Sequence, residues 1–543
     1  MIYLRKNFPD PFNKHLACLF TICLLLLWNS TSAVHAQDGL IGRWRNYQSH
    51  RQGVAVSSRG NVVYGISRAG LATLDLVRYW YSEYTSLDGL SGGIPSRIYY
   101  DRGNDLIFIA YESGLVDYFK DISSIRSYRD IEQSQNFSRR GILDITSNGS
   151  LVYFATEFGI VVFDTRTRET RFSYRKIGSS PQDQAVTAVG IFNGRIYAVV
   201  SGQGLFSASL TNPNLADGAA WQPESGRNNL PSTGTTRLAI GSDRMFVAVG
   251  LELYQRIGSR TDWEIMNNDS FAPVEITKLS AKGNTLAVLG ASKQVDSING
   301  ERTLPTIFCL KNGQWNTLLG FFIPRDIHVL ENENDVAIAD LVEGAYATNI
   351  TQRFNYRNFT GNLPNNLCQN ITVANRQLYV APSGHNDFNT NSFNNNGIYY
   401  MDLRQREWRI LSRGQGLDSV RANSSFGVLE SVSGRAEVYA SSWDNGIIRL
   451  SDGRLEAIYD TLTSCLTGIA TSSTGRPLFI RAAGLKLEPA GRLWAVLNNA
   501  SRPLAVIDPD GTCYSYPIPP GVSSNLIGLA IDDNGYKWIT IRR

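Results

Sequence analysis

The chain has 543 residues, 43% of them apolar and 18% charged, with a formal net charge of +4. That length exceeds what one ordinary core serves, so two domains are expected, and the composition excludes a disordered chain. The near-even charge balance leaves no basic stripe for nucleic acid, and abundant Tyr, Phe and Gly favour strands and tight turns over helices.

Residues 1–36 read as a signal peptide. Arg5, Lys6 and Lys14 supply a positive start, Leu16 to Trp28 an apolar core, and Ala33-Val34-His35-Ala36 a cleavage site before Gln37. The apolar run is shorter than the ~20 residues of a membrane span, and no later stretch is long and apolar enough for one. Cys18 stands at the start of the apolar run and lacks the aliphatic residue three places before it that marks a lipoprotein. Cleavage removes three basic residues and one acidic residue, leaving 49 and 47. The mature chain is expected to be exported.

From Val54 onward a unit of about 45 residues repeats. Strand, tight turn, strand, Gly-aliphatic, strand is the grammar of VAVSSRGNVVYGISRAGLATLD from Val54. It returns from Arg97, Leu143 and Thr187. Gly70, Gly114, Gly159, Gly204, Gly250 and, two periods on, Gly344 mark the phase. The intervening unit starts at Ile276, with a lengthened loop from Ala291 to Pro305. An aromatic follows each third strand: Trp80, Tyr128, Tyr174, Trp221, Trp263, Trp315 and Tyr356. These suit half-exposed outer strands. Period and hairpin chemistry together specify four-stranded blades around an axis. The expected fold is all-β, a seven-bladed β-propeller over residues 37–352 followed by a second, incomplete one over 353–543. The strand around Trp44 is expected to pair with the last blade, near Gly344, and close the first ring. The second ring opens at Leu367, with Gly397 and Trp408 as its markers, continues from Phe426 and Leu485, and stops in mid-blade after Ile527. Three and a half blades do not close. The sequence is therefore read as a fragment, a shortened frame, or a chain whose open edge something else covers.

Four cysteines remain after cleavage: Cys309, Cys368, Cys465 and Cys513. No C-x-x-C pair marks a zinc site. A Cys465–Cys513 bridge is conceivable, but mostly buried free thiols are expected. The histidines His50, His328 and His385 are expected to be structural. Asp533-Asn534-Gly535-Tyr536-Lys537-Trp538 matches most of a D-x-G-x-x-W turn, which is structural in kind. The loop after Gly384 has one carboxylate, Asp387, too few for calcium. Asp340 and Asp444 have no identifiable partner. No catalytic, cofactor-binding or metal-binding residue can be named, and the ligand-binding residues are unknown.

The connections LDGLSGGIPSRIYYD from Leu87, NNLPSTGTTRLAI from Asn228 and TGNLPNNLCQNITV from Thr360, with IDDNGYKWIT from Ile531, resemble two-component-regulator propeller repeats, common in Bacteroidetes. The opening GRWRNYQSHRQGVAVSS from Gly42, with its W-x-x-Y-x-x-H spacing, resembles the N-terminal propeller of the PorZ family of type IX secretion components. That resemblance implies two seven-bladed propellers and a small C-terminal β-sandwich, whose last parts this sequence does not contain. It also implies a non-catalytic role without cofactor: binding anionic lipopolysaccharide and presenting it to the sortase of a surface attachment complex. Two other readings stand beside it. One is a ligand-sensing ectodomain of a hybrid two-component regulator, which would need a membrane helix further on. The other is a secreted polysaccharide-acting enzyme, which would need converging carboxylates at a ring mouth.

Overall fold

The computed structural model describes residues 46–542, except 79, 136, 179–181, 233, 297–299, 352–355, 359–362, 364, 385–395, 405–407, 421–424, 433 and 470–478. The signal peptide, Trp44, His385 and Asp387 lie outside the described residues.

The fold is all-β. Among the described residues, ten four-stranded antiparallel sheets and one two-stranded sheet succeed one another along the chain. Within each sheet the strands run in sequence order from an inner to an outer position, as in Gly53–Arg59, Val62–Ser67, Gly70–Asp75 and Tyr81–Tyr84. Seven of these sheets lie between Gly53 and Asn358. The remaining four begin at Asn370, Phe426, Ala482 and Leu526, and the last holds only Leu526–Ile531 and Lys537–Ile541.

Stacking of the sheets generates the core. Both faces of a sheet are apolar near its middle strands, so every gap between neighbours is filled by its own cluster. The gap between the second and third sheets holds Phe108, Phe154 and Phe163, and that between the third and fourth holds Val162, Tyr174 and Trp221. The seventh gap returns to the start. Val56, Val63, Ala72 and Leu74 of the first sheet pack on Ala337, Ala339, Ala345 and Ala347 of the seventh. Small residues on one side let the two sheets approach.

Two of the phase glycines show why a side chain has no room there. Gly70 and Gly159 open third strands at φ 136° and 141°, and a Cβ on either would meet the carbonyl oxygen of the outer-strand residue Tyr84 or Tyr174.

Several expectations are corrected. The outer edge of Gly344–Asn349, reserved for the Trp44 strand, is taken by Tyr356–Asn358, with Tyr346 opposite Asn358. The chain simply continues into the next strand position, twelve residues after Gly344, which is the shortest connection open to it. The lengthened loop from Ala291 to Pro305 is not a loop. It prolongs Thr285–Asp296 and Gly300–Lys311 into one long hairpin, paired from Leu286↔Leu310 to Asp296↔Gly300. The outer-strand aromatics are less uniform than expected. Tyr128, Tyr174, Trp221 and Trp263 are buried, whereas Trp80 is 67% exposed. Cys465 and Cys513 form a disulfide, Cys309 is a buried thiol and Cys368 an exposed one. Mostly buried thiols is thus wrong, because the long segment after Tyr459 returns to the outer strand Cys513–Tyr516.

Candidate functional site: the central channel

Seven inner strands line the axis of the first seven sheets: Gly53–Arg59, Pro95–Asp101, Ile142–Asn148, Val186–Phe192, Thr235–Ile240, Glu275–Lys282 and Pro324–Val329. Each carries a β-bulge near its start, where the pairing skips one residue. A bulge bends the strand and re-aims the next side chain. The residues that follow it are Ala55, Arg97, Asp144, Ala188, Arg237, Lys278 and Asp326, each directly before an aliphatic. Five of the seven are charged.

Most of this charge is engaged in holding neighbouring sheets together. Asp326 Oδ2 accepts from the Val56 N–H at 3.1 Å, and Asp144 Oδ2 from the Val189 N–H at 3.0 Å. Arg97 Nε donates to the Leu143 carbonyl at 2.6 Å, and Arg237 Nε to the Thr277 carbonyl. Ser57 and Ser280 accept from the Tyr100 and Val329 N–H groups at 3.2 and 3.0 Å. The inner strands thus form a hoop of polar links. Each link satisfies a backbone group that the lateral packing of twisted sheets leaves without a ladder partner.

A cavity of about 130 Å³ remains in the channel, lined by Arg97, Tyr99, Asp144, Lys278, Asp326 and His328 among others. Lys278 Nζ pairs with Asp326 Oδ1 at 3.2 Å. Burial raises the Asp144 carboxyl above its usual range, against the attraction of Lys278. Burial likewise lowers Arg237, and the like charge of Arg97 adds to it. The ammonium of Lys278 thus stands beside Asp326 and within electrostatic reach of Asp144, and with Arg97 and Arg237 the cations of the inner strands outnumber these two carboxylates.

The histidines behave as structural groups. His50 and His328 are pushed down to about 4 by burial, so both are neutral near pH 7. His50 Nδ1 shares a hydrogen bond with Ser67 Oγ at 3.2 Å and His328 Nε2 one with Ser58 Oγ at 3.1 Å. Two carboxylates left without a partner by the sequence have surroundings here. Asp340 accepts four backbone N–H bonds, from Phe322, Ile323, Val342 and Glu343, and Asp444 lies within electrostatic reach of Arg481. In the D-x-G-x-x-W turn the clamping carboxylate is Asp532 rather than Asp533. It accepts from the Asn534 and Tyr536 N–H groups and from Trp538 Nε1, at 3.0, 3.0 and 2.9 Å. The channel residues themselves went unnoticed in the sequence, although a charged residue before an aliphatic at the same phase of successive units was a readable signal.

Strand order, sheet succession and the inner-strand hoop are those of a propeller, and the comparisons agree. Residues 63–222 match the family model described as the PorZ N-terminal β-propeller domain of type IX secretion. That span covers most of the first four sheets. A solved PorZ of Porphyromonas gingivalis, described as an essential bacterial surface component of the type IX secretion system, aligns with a TM-score of 0.63 and 18% identity. The alignment covers 92% of this chain and 63% of that one, so the chain spans less than two thirds of the PorZ length. At that identity the likeness speaks to the fold. The extracellular domain of a hybrid two-component system of B. thetaiotaomicron aligns at a TM-score of 0.38 and 14% identity, over 90% of this chain and 68% of that one. No curated protein matches the sequence.

Proposed function

We propose that the chain is a non-catalytic component of the type IX secretion attachment complex at the outer membrane, binding anionic lipopolysaccharide and presenting it to the sortase that modifies secreted cargo. The match of residues 63–222 to the PorZ N-terminal propeller model carries this reading. Export by a signal peptide over residues 1–36 belongs to it, as does a division into two propellers, the first carried past the expected boundary at 352 to include the outer strand Tyr356–Asn358 of the seventh sheet. The Cys465–Cys513 disulfide supports an oxidising destination, and no helix among the described residues is long and apolar enough to cross a membrane. A non-catalytic role accords with the channel, where Arg97, Asp144, Arg237 and Asp326 are engaged with backbone groups of adjacent sheets. Such groups hold a scaffold and are poorly placed to meet a substrate. Deletion of the gene in its host is the direct test. Sortase cargo should accumulate unprocessed in the periplasm, and normal processing would refute the assignment. Capture of a sortase and of anionic lipopolysaccharide by the mature chain tests the two contacts separately.

A further inference from the structure

The residues that follow the seven bulges occupy the same phase of their strands, so they meet the axis at one level. At that level the carboxylates and the ammonium are largely spent on one another and on backbone. Asp326 holds Lys278 with Oδ1 at 3.2 Å and the Val56 N–H with Oδ2 at 3.1 Å. Asp144 accepts from the Val189 N–H at 3.0 Å, and burial favours its neutral form. Ala55 and Ala188 add only methyl groups.

Arg97 and Arg237 differ from these. Neither forms an ion pair among the described residues, and both hold the same pose. Nε donates to a carbonyl of the next sheet, Leu143 or Thr277, and Nη1 to the carbonyl of the preceding residue, Ser96 or Thr236. A guanidinium carries five N–H groups, so each has donors to spare. The two belong to the second and fifth sheets, as far apart as two sheets can be in a ring of seven. Arg237 nonetheless feels the like charge of Arg97, so their heads converge toward the axis. Glu275 also attracts Arg237, but from an exposed strand end where water screens it. Charge withdrawn from water is normally paired, and the protein supplies these two half-buried cations with no close partner.

We propose that the channel holds one small inorganic oxyanion, of the sulfate or phosphate type, bound between the guanidiniums of Arg97 and Arg237. Two observations select this occupant. Planar N–H forks match the oxygens of an oxyanion and repel a cation. The cavity beside Arg97, about 130 Å³, lies well below the ~300 Å³ at which pockets for organic ligands begin, yet exceeds what one water needs. An ion with part of its hydration shell fits there, whereas a sugar or a nucleotide does not. The polar hoop joins each sheet only to its neighbour. The anion ties the second sheet to the fifth across the axis, and is a resident part of the scaffold rather than a substrate.

The test uses the chain freed of residues 1–36. Equilibrium dialysis against labelled sulfate at constant ionic strength should show one bound anion per chain. Arg97→Gln and Arg237→Gln should each weaken binding about tenfold, the loss expected when a charged hydrogen-bond donor is removed. Arg237→Lys, which keeps the charge without the fork, should fall between these and the parent. Arg68→Gln, in an exposed turn, should bind as the parent does. Crystals of the parent grown in selenate should show one anomalous peak in contact with both guanidiniums, a readout that stands even if a channel variant fails to fold. A parent chain that retains no sulfate overturns the proposal. So does an equal loss in Arg68→Gln and Arg237→Gln, or selenate found only at the outer surface. Neither probe is a glycolipid, so the outcome is independent of the secretion reading.

Discussion

Ser49 and Asn366 stand 317 positions apart in sequence, yet the Ser49 N–H donates to Asn366 Oδ1 at 2.6 Å. The short segment around Ser49 ties together parts of the chain that its own sheet does not touch. The Tyr47 ring meets Trp408 edge-on at 6.1 Å between centroids. On its other side the His50 carbonyl lies where a Cβ on Gly344 would come within 2.7 Å. The strap therefore spans the seventh and eighth sheets. Asn366→Ala leaves the buried Ser49 amide without its acceptor. A loss of about 1–2 kcal/mol of local stability is expected, seen as roughly tenfold faster hydrogen exchange at Ser49. Unchanged exchange would show that the segment is held by the ring contacts alone.

Asp326 closes the seam between the seventh and first sheets and pairs with Lys278 of the sixth. Asp326→Ala strands a partly buried ammonium and an inner-strand N–H together. The cost should be about 3 kcal/mol, read as a lower urea midpoint. In the Lys278→Met background the same substitution should cost visibly less, because the cation is already gone. Equal costs in the two backgrounds would mean that the ion pair contributes nothing.

The repeat was legible because a glycine recurs at one phase, from Gly70 and Gly159, where a Cβ would meet the outer-strand carbonyl, to Gly114, Gly204, Gly250 and Gly344. Tyr356 was already in the series of outer-strand aromatics, and pairing by local continuity overrode the more distant option near Trp44. The hairpin beyond Ala291 was hidden because its pairs, such as Lys293 with Thr303, are polar and lack the alternation that reveals a strand. The Cys465–Cys513 bridge was left open because spacing does not report where a chain returns. The channel was missed for a different reason. Arg97, Asp144 and Lys278 differ in sign, so the charged residue that precedes an aliphatic at one phase of successive units does not read as a single site until the bulges bring it to the axis.

Asp340 offers a stability test of its own. Replacement by Asn keeps a carbonyl oxygen for one loop but supplies no second acceptor for the other. Replacement by Ala removes both. Destabilisation of about 2–3 kcal/mol is expected for Asp340→Ala and a smaller loss for Asp340→Asn, measured by thermal unfolding. Amide exchange at Phe322 and Val342 should rise in both variants. If only one of the two loops responds, the carboxylate does not couple them.

The Cys465–Cys513 bridge joins the segment after the ninth sheet to the outer strand of the tenth. Cys465→Ser/Cys513→Ser should lose about 2–4 kcal/mol, since the unfolded chain regains the freedom that the cross-link removes. The comparison is the oxidised parent in the same urea titration. An identical midpoint would indicate that the packing around Leu466 and Ile480 positions the segment unaided.

His50 and His328 fix the sign of the pH dependence. Burial holds both imidazoles at about 4 in the folded chain, against about 6.5 when unfolded. The unfolded state therefore binds more protons between those values, and acidification favours unfolding. The stabilising contribution is complete above about pH 6.5 and drains away as the pH falls toward 4, by about 3 kcal/mol per histidine. Asp144 works in the opposite direction, because its raised pKa makes protonation relieve a buried charge. Urea midpoints at pH 7 and pH 4.5 should thus differ strongly in the parent chain and less in His328→Gln, whose amide can keep a bond to Ser58. A slope that stays the same in that variant would assign the acid sensitivity to carboxylates elsewhere in the fold and leave His328 as a packing residue only.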